Sequence, residues 1–89
     1  MCRNIRMLFN LEPPATEDEI RAAATQYVRK ISGFPRPSAA NQKAMDKAVT
    51  QIARASSALL GSLVTGAVPR DRAIEAAKAH ARAVRRFGA

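Results

Sequence analysis

The 89-residue chain has no tryptophan, one tyrosine, one cysteine and one histidine, and seven acidic residues stand against fifteen Lys and Arg. Each scarcity removes a class of function. A single cysteine, Cys2, excludes an internal disulfide and any metal site built from several cysteines. With His80 it offers zinc two ligands where three or four are needed, so neither a metal site nor a cofactor is expected. The aromatics are Phe9, Tyr27, Phe34 and Phe87. Most of them suit packing, which argues against a platform for stacked bases. No apolar run approaches a membrane-spanning length and no apolar segment follows the N-terminus. The chain therefore reads as cytoplasmic, with no membrane partner.

What remains is small, alanine-rich and basic. The length predicts a single domain over 1–89 that buries roughly 60–65% of its unfolded surface. Hydrophobic residues make up 47% of the chain, but much of that is alanine, which adds little burial. The larger apolar side chains suffice for one thin helical core and leave room for a second copy to complete it. The abundance of Ala and Arg fits GC-rich bacterial coding as well as it fits a function. The net charge is +8. Residues 1–46 carry seven bases and five acids, while residues 47–89 carry eight and two. A positive second half of this kind attracts nucleic acid or an acidic protein surface.

The pattern is helical throughout, so the expected fold is all-α: three helices near 17–32, 39–64 and 70–87, with a short packed N-terminal segment. Thr16-Glu17-Asp18-Glu19 forms a capping box, and its three acids suit the positive end of a helix dipole. Ile20, Ala23, Ala24, Tyr27, Val28 and Ile31 follow at helical spacing and predict one buried face. Gly33 suits the left-handed residue after the helix, and Phe34 a contact back onto its last turn. Ser38 reads as the cap of a long second helix. Its buried line runs through Met45, Ala48, Val49, Ile52, Ser56, Leu59, Leu60 and Leu63 to an end at Gly66. Pro69 opens the third helix, with Ile74, Ala77, Ala81 and Val84 as its stripe. Ile5, Leu8 and Phe9 are spaced for one helical turn ahead of the Pro13-Pro14 stop.

Cys2 is the one candidate catalytic residue. Removal of Met1 would leave an amine and a thiol on one residue, with Arg3 and Arg6 favouring the thiolate. A nucleophile also needs a base and an oxyanion site, and only His80 is available as a base. A tolerated cysteine and a boundary histidine are the simpler readings. Lys78, Arg82, Arg85 and Arg86 form a basic stripe on the third helix, with Arg70 and Arg72 before it. These are the candidates for nucleic-acid or anion binding, because phosphate contacts need charge rather than a fixed order.

Met1-Cys2-Arg3-Asn4-Ile5, Leu8-Phe9-Asn10, Glu12-Pro13-Pro14-Ala15-Thr16, Glu19-Ile20, Tyr27 to Phe34, Pro37-Ser38 and the closing Ala-Arg-Ala-x-Arg-Arg-Phe together resemble the domain of unknown function 2277 family of short bacterial proteins. Leu11 stands where that pattern suggests an aromatic. The resemblance implies a small stand-alone protein and carries no activity, substrate or site residue. The Pro-x-Ala-Thr stretch is also similar to the opening of a J-domain helix, but no His-Pro-Asp loop occurs. Three functions follow in order. The first is a non-enzymatic binding or regulatory module with a protein partner, acting through the third helix or the 33–38 loop. The second is a nucleic-acid-associated protein, and the third an enzyme or redox factor using Cys2.

Overall fold

The computed structural model describes residues 3–87. Its elements in chain order are β1 (Leu11–Glu12), α1 (Glu17–Ser32), α2 (Gln42–Ser62), β2 (Arg70–Asp71) and α3 (Arg72–Phe87). The fold is thus mostly helical, but it is not purely α. β1 and β2 pair in parallel, with Leu11 opposite Arg70 and Glu12 opposite Asp71. The helical turn expected ahead of Pro13 is absent: residues 3–10 run as bends and a turn into β1.

α1 starts on its capping box. The Thr16 hydroxyl accepts from the Glu19 N–H at 3.1 Å, and the Glu19 carboxylate accepts from the Thr16 N–H at 2.9 Å. It ends at Gly33, whose φ of 78° is left-handed and whose N–H donates to the Arg29 carbonyl at 3.0 Å. A residue with a Cβ at this position would be strained.

α2 is shorter than its apolar line suggests. Ser38 does not cap it; its carbonyl closes a turn onto the Asn41 N–H at 3.0 Å, and its hydroxyl accepts from the Asn41 amide at 3.1 Å. The helix therefore begins one turn later, at Gln42. Leu63 leaves it with extended backbone (φ −70°, ψ 141°), ahead of β-branched Val64 and Thr65, so Gly66 lies beyond the helix end. α3 also starts late. Pro69 leads into β2, and the Asp71 carboxylate accepts from the Ile74 N–H at 3.0 Å, the bond of an N-cap.

Ser57, late in α2, donates to Glu17 at the start of α1 at 3.1 Å, so the two helices run antiparallel. Between them lies the core. Ala24 and Val28 of α1 meet Val49 of α2, with Met45, Ala48, Ile52 and Ala53 packed around them. Ile20 is buried one turn earlier on the same face. The expected face of α1 is wider than the one buried: Tyr27 is 46% exposed and Ile31 66%. A single partner helix covers only a narrow stripe, and these two residues lie outside it. α3 is joined to the rest mainly through β2. Ala77 and Ala81 of its stripe are exposed with Ile74, and Val84 is half-buried. The Cα positions fill a slab of 43 × 38 × 16 Å.

A core this small makes each of its members count. Val28→Ala should lower the unfolding free energy by about 2 kcal/mol through lost burial and the cavity left behind. Ile31→Ala on the exposed edge should change it by less than about 0.5 kcal/mol. Urea denaturation of both variants checks the contrast.

Candidate functional site

The chemistry of the chain gathers where the N-terminal segment, β2 and α3 meet. Asn10 makes that meeting. Its φ of 59° is left-handed, a conformation asparagine tolerates better than most residues. In this pose its carbonyl accepts from the Arg70 N–H at 2.8 Å, and its amide donates to the Ala67 and Val68 carbonyls at 3.3 and 3.4 Å. The Arg70 guanidinium also reaches the Met7 sulfur. Residues 67–70 are thereby laid along residues 7–12. The peptide between Glu12 and Pro13 beside them is cis.

Glu19 completes the junction. Its two carboxylate oxygens accept from Arg72, Oε1 from Nη2 at 2.6 Å and Oε2 from Nη1 at 2.9 Å. Oε2 also accepts from Arg6 at 2.9 Å. Arg72 further donates to the carbonyls of Pro13 and Pro14. One carboxylate in the first turn of α1 thus holds the start of α3 and the N-terminal segment together. The Arg72 hydrogen bonds, with the Thr16 N–H, bring the Glu19 carboxyl down from 4.5 to about 2, and desolvation opposes them only in part. Arg72 is pushed up in turn by its bonds to Glu19.

Beside this junction lies a cleft of about 730 Å³. Arg3 and Arg6 line it from the N-terminal segment, Arg70 from β2, and Arg72 and Arg82 from α3, with Glu75 as the acidic lining residue. Arg6 and Arg72 are engaged with Glu19. Among the described residues, Arg3, Arg70 and Arg82 make no ion pair. Their charges surround a space of the size that small ligands occupy.

The basic stripe expected on the third helix meets this cleft at one of its members. Arg82 faces the cleft. Lys78 lies 3.8 Å from Glu75 on an exposed surface. Arg85 and Arg86 are exposed near the C-terminal end of α3. At 100° per residue the four fall within an arc of about 100°, so they form one stripe along α3, of which Arg82 lines the cleft. Arg3, Arg6, Arg70 and Arg72 join Arg82 in the cleft. Their convergence depends on the Asn10 clamp, which leaves no periodic signal. His80 is exposed on α3 and is not part of the cleft lining. Cys2 lies outside the described residues. No group of three or more His, Cys, Asp or Glu among the described residues is placed to hold a metal ion. No helix there is long and apolar enough to cross a membrane.

A family model described as Uncharacterized conserved protein (DUF2277) matches residues 1–78. The chain belongs to the DUF2277 family. No curated protein and no solved structure matches it. The span matched to DUF2277 contains Glu19, Asn10 and four of the cleft arginines, while Arg82, Arg85 and Arg86 lie beyond it.

Because the carboxyl of Glu19 sits lower in the folded chain than its ordinary value, its contribution to stability is complete above about pH 4.5 and is lost as the pH falls through about 2. Glu19→Gln abolishes that contribution at every pH. Thermal melts between pH 7 and 2 should show the parent losing more of its melting temperature below pH 4.5 than the variant does. Equal slopes would remove Glu19 from this role.

Proposed function

We propose that this DUF2277 protein is a non-enzymatic binding module that takes a phosphate-bearing small ligand in the arginine cleft. The observation that carries this reading is the convergence of Arg3, Arg6, Arg70, Arg72 and Arg82 on one space of about 730 Å³. Guanidinium groups donate in a planar fork that matches phosphate oxygens two at a time, and they stay charged in any physiological medium. Arg72 is already oriented by Glu19 and by two backbone carbonyls, so less freedom is lost when a ligand arrives. Met7, Leu11, Ala76 and Ala79 give the same cleft an apolar wall, suited to the uncharged part of such a ligand. The lining side chains bind charge and apolar surface.

A second reading is favoured by Arg85 and Arg86, which extend positive charge beyond the cleft along α3. A nucleic-acid backbone would use them together with Arg82, and its affinity would fall steeply with salt. The remaining alternative, chemistry at Cys2, draws nothing from His80, which stands outside the cleft lining.

Titration calorimetry at low salt with pyrophosphate and with a nucleoside triphosphate tests the proposal. Binding should weaken by about tenfold or more in Arg70→Ala, the equivalent of about 1.4 kcal/mol. Arg85→Ala with Arg86→Ala should change it by less than about twofold, as expected for exposed charges outside the cleft. If neither compound binds, the ligand reading is discarded. If duplex DNA binds instead and the Arg85/Arg86 variant abolishes it, the second reading replaces the first.

A further inference from the structure

The surface of the chain is too large for its mass. A compact monomer of 9.6 kDa exposes about 5,100 Å², by the scaling of folded proteins. This chain exposes 6884 Å², an excess of about 1,800 Å² over that expectation. Its radius of gyration is 15.5 Å, where about 12 Å is expected for its length. The slab is 16 Å thin between Cα positions, whereas a domain ordinarily closes its core between two packed layers.

The excess includes apolar surface in two particular places. One is the outer side of α3. Projected at 100° per residue, Ile74, Ala77, Ala81 and Val84 fall on the side opposite Arg72, Glu75 and Arg82. The cleft occupies the charged side, and Ile74 is left 56% exposed on the other. The second is a groove of about 210 Å³ where Ile5 and Leu8 of the N-terminal segment lie beside Ile20, Leu59 and Leu60 of the helix pair. Leu59 is 57% exposed there.

We propose that a second copy of this chain covers these surfaces, the apolar side of α3 from each protomer lying in the α1–α2 groove of the other. A second copy is the fitting occupant because a two-fold pairing uses both surfaces twice and leaves neither unmatched. It also supplies the missing layer. The excess of about 1,800 Å² per chain, which also includes the walls of the cleft, is large enough to hold the roughly 800 Å² per partner of a standard interface. The arginine clefts lie on the side of α3 opposite its apolar stripe, and the charged groups that border the contact are Arg6 of the groove lining and Lys78 and Arg85 beside Ile74 on the helix. The dimer does not depend on the ligand assigned to the cleft.

Light scattering on the full chain at about 10 μM should give a mass of about 19 kDa, twice that of one chain. The melting temperature should rise with protein concentration, as it does when folding and association are linked. Ile74→Glu and Leu59→Lys should each yield a helical monomer. Mixing the two variants should restore a dimer, because one of its two contacts is then a Glu–Lys pair and the other is native. A parent chain that is monomeric with a concentration-independent melting temperature overturns the proposal. So does a dimer that both substitutions leave intact. A mixture that stays monomeric overturns the pairing of α3 with the groove. Should either variant unfold, the concentration dependence of the parent's melting temperature decides alone.

Discussion

The position of α3, and with it the cleft, depends on the ion pair between Glu19 and Arg72. α3 packs little against the antiparallel helix pair. It is held by a two-residue strand pairing and by one guanidinium whose donors reach both oxygens of a carboxylate and two proline carbonyls. That carboxylate cannot swing freely, because it is also the second half of the capping box of α1. A local device for starting a helix therefore serves as the fixed point for a contact 53 residues away in the chain. Bidentate geometry sets direction as well as distance, so the pair orients the start of α3.

The same carboxylate organises the charge of the site. Five guanidiniums brought into one cleft repel one another, and the acids that offset them are Glu19 behind two of them and Glu75 on the wall. Glu19 lies in the first turn of α1, where the dipole already favours negative charge. The remaining positive field is directed into the cleft, which is the arrangement an anion would complete. Arg82 takes part through its place on α3, whereas Lys78 is drawn to Glu75 on the surface.

The path of the chain explains why so much apolar surface remains uncovered. After Leu63 the backbone is extended, and Asn10 holds residues 67–70 against the N-terminal segment. α3 then leaves directly from β2, capped by Asp71, with no connecting loop in which to turn back over α1 and α2. The two-residue parallel pairing that builds the cleft is thus also what keeps α3 from closing the core of its own chain. A gain at the site is matched by a loss in packing.

Local chemistry determined much of this molecule. The Thr16–Glu19 box, the acids of the first turn and the left-handed Gly33 mark both ends of α1, because caps act within one turn of chain. The spacing of Ile20, Ala24 and Val28 marks its inner face. Family membership was also legible, in motifs spread over most of the chain. Burial was not, because periodicity shows which residues share a side and not what lies opposite: Tyr27 and Ile31 continue the stripe of α1 and still face outward. The two short strands carry no alternating pattern, since each exists only through its bonds to the other. The cleft is the strongest case. Arg82 was placed on a helix by its own neighbours, but only the left-handed turn at Asn10 and the reach of Arg72 to Glu19 bring Arg3, Arg6 and Arg70 to meet it. Such contacts join distant parts of the chain, and their energy comes from geometry that exists once the chain has folded.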